Sequence, residues 1–307
     1  FWPSLFILAP TLLMGASFPL ITSIAYTRNK EADTVGTIYF YNVLGNVAGG
    51  LVTGLYLLGA IGTEYSLLLM SFIGLSFLFA KERLLFLNSP VHKTIVVVVV
   101  AGLCYVFFPG RLQLYKTIHP QYIFATNDKI IATESTDGVV VSYQNADKLV
   151  TFINGMAHGG RPNKYFFYEV VQTLSYKEPS KVLVIGLGTG SLIEALKIVA
   201  PSAEITVVEL SQALLVNLKR IDTLNKLMSG KNINIVCADG RSFLYHTHEK
   251  YDAIFMDPLR TTTSFSNNIY SKEFFELSRD HLTIDGVQMT WSDEYNVLPR
   301  TLCTEIG

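Results

Sequence analysis

The sequence predicts a multi-pass α-helical membrane region (residues 1–110), a small antiparallel β subdomain (111–160) and a doubly wound α/β, Rossmann-like domain (161–307). Three observations carry this expectation. Charge is confined to one end: residues 1–110 hold nine of the 49 Asp, Glu, Lys and Arg residues, and 111–307 hold the other 40. Uncharged runs follow one another over 1–27, 34–63, 65–80 and 94–110. Behind them, KVLVIGLGTG at 181–190 joins an apolar run, a glycine turn and a helix start.

A bilayer core takes about 20 apolar residues per helix. The runs therefore predict helices near 4–26, 35–58, 62–80 and 92–109, with the second and third parted by a glycine-containing turn at Gly59 to Gly62. The fourth, built on Val96 to Val100, is the shortest, and a buried soluble helix or strand is its alternative. Gly45, Gly49, Gly50 and Gly54 lie at the small-residue spacing that lets a second helix approach closely, either within the bundle or across a dimer interface. The first residue is Phe1, within an apolar run, so a longer polypeptide is expected, and no cleaved signal peptide is read there.

Loop charges leave the topology open. Arg28 and Lys30 in the first loop, with Lys81, Arg83 and Lys93 in the third, put both loops in the cytoplasm. A spanning fourth helix then leaves the α/β domain outside; a non-spanning one returns it to the cytoplasm, as Arg111 and Lys116 favour.

Composition removes several function classes. Cys104, Cys237 and Cys303 form no CxxC pair, so neither a zinc site nor a disulfide framework is expected, and no metal is assigned. A net charge of −1 gives no case for nucleic acid.

In the polar part, YIFAT, KIIATES, GVVVSY and KLVTFING between 121 and 155 alternate with turn residues and predict short antiparallel strands. A helix is expected over 162–177. Beyond it strands at 181–186, 204–209, 233–238, 251–257 and 286–292 alternate with helices near 190–199, 211–228, 241–247 and 271–282, the pattern of a doubly wound sheet.

Polar residues stand at the carboxyl ends of four successive strands: Gly186, Gly188, Thr189 and Gly190, then Glu209, then Asp239 with Gly240, then Asp257 with Pro258. Ligands of such sheets bind outside those ends. The glycines let the backbone approach a ligand, and a carboxylate like Glu209 accepts both hydroxyls of a ribose. Each residue also has a structural alternative: a solvated strand end for Glu209, a helix cap for Asp239, a turn for Asp257. G-x-G-x-G with an acidic strand end fits S-adenosylmethionine or its decarboxylated form better than a dinucleotide, whose G-x-G-x-x-G would need glycine at Ser191.

These residues carry a family resemblance. TES at 133–135, FINGMAH at 152–158, VLVIGLGTG at 182–190, VVEL at 207–210, CADGRSFL at 237–244, YDAIFMDP at 251–258 and YSKEFF at 270–275 resemble the spermidine synthase (polyamine aminopropyltransferase) family, and GASFPL at 15–20 resembles its membrane-fused bacterial members. The resemblance implies an S-adenosylmethionine-methyltransferase-like fold. It also implies aminopropyl transfer from decarboxylated S-adenosylmethionine, with Glu209 on the ribose, Asp239 on the adenine amino group and Asp257 as the catalytic acidic residue. It implies an integral protein of the bacterial inner membrane, with the lipid bilayer and other membrane subunits or a second copy as partners.

Several positions depart from the family pattern. Thr189 stands where the glycine loop carries an Asp, and Arg260 where a second acid follows the strand. His158 replaces a Gln and is a weak candidate base. Of the family's DExxYHE, only Glu169 remains in Asn163 to Glu169, and Asp137-Gly138 replaces a Tyr-Gln. Dicationic putrescine needs at least two carboxylates against desolvation. Asp257 beside Arg260 supplies one, so the putrescine site reads as lost. Three functions follow: a membrane-anchored transferase with another acceptor, an inactive member serving as structural or assembly subunit of a membrane complex, or a true aminopropyltransferase.

Overall fold

The computed structural model describes residues 2–25, 31–76, 90–107, 115–116, 129–145, 148–257 and 268–291. The YIFAT strand, Arg260, Pro258, Cys303 and most of the loop cations lie outside them. The chain divides into two compact units, residues 1–66 and 67–307.

Helices form where apolar runs were expected: α1 (Trp2–Ala25), α2 (Glu31–Val52), α3 (Leu58–Ser76) and α4 (Pro90–Phe107). A π-helical turn, Thr53–Leu57, joins α2 to α3 without a break. The break falls at Gly62 (φ 77°, ψ 173°), a conformation open to glycine and strained for other residues. Within the first unit, Phe18 meets Tyr39 edge to face with centroids 6.4 Å apart. Among the described residues one helical run, Ala32–Ser76, is long and apolar enough to cross a membrane, and Thr11–Ser23 is a shorter apolar stretch. The four-span expectation is thus corrected to one supported candidate. Tyr39, Phe40, Leu55 and Phe72 on that run are exposed.

The second unit contains two sheets. β1 (Lys129–Ser135), β2 (Gly138–Gln144), β3 (Leu149–Ile153) and β4 (Met156–Arg161) form an antiparallel sheet in chain order. The expected KLVTFING strand ends two residues early. Asn154 (φ 50°) and Gly155 (φ 81°) turn the chain into β4, beyond the single strand expected there. α5 (Tyr165–Thr173) follows.

β5 (Lys181–Ile185), β6 (Glu204–Glu209), β7 (Ile233–Cys237), β8 (Tyr251–Met256) and β9 (Leu282–Thr290) form a parallel sheet in the order β7-β6-β5-β8-β9. The helices between them are α6 (Ser191–Val199), α7 (Gln212–Lys219), α8 (Asp222–Met228), α9 (Gly240–His246) and α10 (Lys272–Asp280). One helix was expected over 211–228. Arg220 and Ile221 interrupt it, because the α7 end bonds back on itself and Ile221 starts α8 from an extended conformation. β9 begins at Leu282, four residues before its predicted start.

Alternation along β5 fills both faces. Val182 and Val184 enter one core with Leu192, Leu196, Leu214 and Leu218, while Leu183 and Ile185 enter the other with Leu244, Ile254, Met256 and Phe274. The small sheet is held to α7 by Asn217, fully buried, whose amide Nδ2 donates to Ile131 O (2.8 Å) and Val140 O (3.2 Å), while Ser142 donates to its Oδ1 (2.6 Å). The observed order places the switch point of the doubly wound sheet between β5 and β8, where the first crossovers part to opposite sides and ligands of such folds bind.

Candidate active site

Both strands at the switch point end in predicted site residues. The turn after β5 has Gly186, Gly188 and Gly190 at φ 95°, 53° and 76°. Its amides are organised from below: Gly186 N donates to Val208 O, and Gly190 N to Leu187 O, both at 2.9 Å. Gly190 then precedes α6 in a left-handed conformation. Thr189 is 4% exposed, with its hydroxyl 3.1 Å from that of Ser191, so its side chain is occupied in the turn.

Glu209 closes the turn from β6. Its Oε2 accepts the Leu187 N–H (2.8 Å) and its Oε1 the Ser211 N–H (2.7 Å). It is buried, and desolvation pushes its carboxyl upward, against the lowering effect of those N–H groups. Each carboxylate oxygen has a second lone pair, so holding the turn and accepting ribose hydroxyls are compatible. Asp239 caps α9, accepting Ser242 N–H at 2.8 Å. A Cβ at Gly240 would lie 2.8 Å from Ile185 Cγ2, so packing of α9 on β5 accounts for that glycine.

Asp257 follows β8, and its N–H donates to Ile185 O at 3.2 Å, across the switch point. Its Oδ2 lies 3.9 Å from where a Cβ on Gly188 would be, which places the carboxylate over the glycine turn. Burial, then the nearby Glu169 carboxylate, pushes it up to about 7. Gly186, Gly188, Glu209 and Asp257 are therefore one constellation. His158 lies within β4, the edge strand of the small sheet.

Two residues left off the predicted site stand beside it. Glu169 on α5 is close enough to raise Asp257, and desolvation raises its own carboxyl. Its survival within an otherwise altered motif was the sequence signal for it. Asp137, in the β1–β2 turn, accepts Ala213 N–H at 3.2 Å, and its charge reaches Glu209 and Cys237. Nothing in the sequence links Asp137 to Glu209; the folding of the small sheet onto α7 does. Arg161 pairs with Glu194 at 2.7 Å. No cluster of three metal-ligating side chains occurs among the described residues.

Residues 169–305 match the family model described as the spermine/spermidine synthase domain. Over that part the chain is similar to the spermidine synthase family. Curated relatives include polyamine aminopropyltransferase 1 of Streptomyces coelicolor, 25% identical over 94% of this chain and 57% of its own length. The polyamine aminopropyltransferase of Oceanobacillus iheyensis is 24% identical over 90% of this chain and 56% of its own. That of Korarchaeum cryptofilum is 30% identical over 44% and 43%. The first two alignments include most of the apolar N-terminal part, and the chain spans a little over half the length of those two relatives. Among solved structures, a spermidine synthase in complex with the transition-state analogue AdoDATO aligns at a TM-score of 0.45, with 23% identity over 52% of this chain and 57% of its own. The spermidine synthase from Thermotoga maritima aligns at 0.44 and 23%, over 52% and 56%. The glycine turn, the acidic end of β6 and the Asp after β8 all lie within the matched residues.

Proposed function

We propose that this chain is a membrane-anchored transferase that uses decarboxylated S-adenosylmethionine, or S-adenosylmethionine itself, as co-substrate and alkylates an amine acceptor. Asp257 carries the reading: a half-buried carboxyl at the switch point, opposite the glycine turn and poised near neutrality. When an amine nitrogen bonds to the carbon beside a sulfonium, the C–S pair leaves with sulfur as a neutral thioether. The amine must shed a proton, and a base near the operating pH takes it most effectively. Glu209 holds the ribose hydroxyls in this reading, Asp239 with Gly240 faces the adenine end, and the turn of Gly186, Gly188 and Gly190 lets the backbone approach the nucleoside.

The acceptor differs from putrescine. Thr189 and Arg260 stand where the family has acids, which removes anionic charge that a long dication needs. The exposed apolar run Ala32–Ser76 supports the bilayer as partner, in the bacterial inner membrane.

Calorimetric titration of the detergent-purified full chain with S-adenosylmethionine, its decarboxylated form and methylthioadenosine tests the reading. Micromolar affinity for at least one, lost in Glu209→Ala, is expected. Absence of binding by all three overturns it and leaves the assembly-subunit function.

A further inference from the structure

We infer that the outward face of α5 docks on the surface of an anionic bilayer; this rests on the membrane-anchored reading above. The two sides of α5 meet different surroundings. Val170 is fully buried, and Phe166 packs against the core that holds Val182 and Val184 of β5. At about 100° per residue, Tyr165, Phe167, Tyr168 and Val171 fall on the other arc, and they are 58%, 37%, 67% and 42% exposed. The Phe167 and Tyr168 rings meet edge to face with centroids 6.1 Å apart, which joins the patch across the helix. Just beyond the helix, Tyr176 is also exposed. A surface helix ordinarily turns charged residues to water. The one charged residue of α5, Glu169, keeps its Oε2 buried instead. Cations stand at the two ends of the face: exposed Lys164 at the N-cap, and half-exposed Lys177, bridged to Asp252, past the C-terminus.

Size and residue type select the occupant. The exposed parts of the four side chains amount to about two aromatic residues, roughly 400 Å². A stable protein–protein interface takes about 800 Å² from each partner, so a second copy finds too little here. A lipid interface asks for less. Tyrosine rings rest at headgroup level with their hydroxyls toward water, and lysines at the rim attract anionic headgroups. The chain supplies the remainder. The apolar run ends at Ser76 and β1 starts at Lys129 of the same polypeptide, so an anchored run keeps the α/β domain beside the bilayer, where a weak contact suffices. Because α5 packs against α6, which starts at the glycine turn, docking through α5 also fixes how the candidate active site faces the membrane.

The test places a tryptophan on the face. The full chain carrying Tyr168→Trp is reconstituted into vesicles of phosphatidylcholine and phosphatidylglycerol whose acyl chains are brominated near the headgroup, with wild type subtracting the emission of Trp2 and Trp291. Tyr245→Trp is the control, an exposed position on α9, which packs on the opposite side of the parallel sheet through Leu244. The tryptophan at 168 is expected to be quenched and the one at 245 to keep its emission. Adding Lys164→Glu should reduce the quenched population about fivefold, the factor for one lysine at an anionic surface. Tyr165→Trp repeats the measurement on the same face if Tyr168→Trp fails to fold. Equal quenching at 168 and 245 overturns the assignment to α5. No quenching at either, in a chain that floats with the vesicles, overturns this inference alone, and self-association abolished by Tyr168→Ser would then give the face to a second copy. A chain that does not float with the vesicles overturns the membrane-anchored reading itself.

Discussion

Asp257 is held at a cost that depends on pH. Its folded carboxyl titrates near 7, while an unfolded Asp titrates near 3.9. A raised acid favours the folded state at low pH and loses that advantage as pH rises toward 7, because the folded protein must then bury a charge. Asp257→Asn removes the titration. It should stabilise the protein by ~2–4 kcal/mol at pH 8 and by clearly less at pH 5, while abolishing turnover. Thermal melts of both forms at the two pH values check this, and an equal gain at both would refute the buried, neutral-leaning state. Glu209 is raised by burial too, but two backbone N–H groups donate to its carboxylate and tie it to the glycine turn. Glu209→Gln should therefore weaken nucleoside binding and also loosen the turn, seen as faster amide exchange at Leu187 and Ser211.

At the scale of elements, the active site depends on two joints. One is the start of α6. Gly190 has φ 76°, and an added Cβ would sit 3.2 Å from Leu224 Cδ2. Gly190→Ala should cost about 1–2 kcal/mol from the left-handed backbone, with nucleoside affinity falling because the turn shifts. The other joint is Asn217, which locks β1 and β2 to α7 and so carries Asp137 toward Glu209. Asn217→Ala strands the buried Ile131 and Val140 carbonyls, so a loss of about 2–3 kcal/mol is expected. Denaturant melts measure it. A loss under 0.5 kcal/mol would mean that the small sheet is held on by its apolar contacts alone.

For the whole molecule, the exposed apolar surface of Ala32–Ser76 has to be covered in solution. The full chain should sediment with membranes, resist alkaline carbonate extraction and enter solution only with detergent. Release by carbonate would rule out a spanning anchor. The family match at 169–305 and the apolar run belong to one chain, and the transferase proposed above is expected to co-fractionate with that run.

The sequence by itself determined the parallel sheet, the glycine turn and the acidic strand ends, because these follow from period-two apolar runs and from local turn chemistry. KVLVI could only be a buried strand before three glycines, and ITVVEL had to end on Glu209. The tertiary structure decided strand order, and with it that the ends of β5 and β8 face each other while β6 stands to one side. It also decided which lone pairs were already taken: Asp239 by its helix cap, Glu209 by the turn, Thr189 by Ser191. Glu169 is 88 residues from Asp257 in the chain, and no local pattern couples them. What couples them is tertiary: α5 packs against α6 and β9, and the Glu169 charge helps to raise the Asp257 carboxyl.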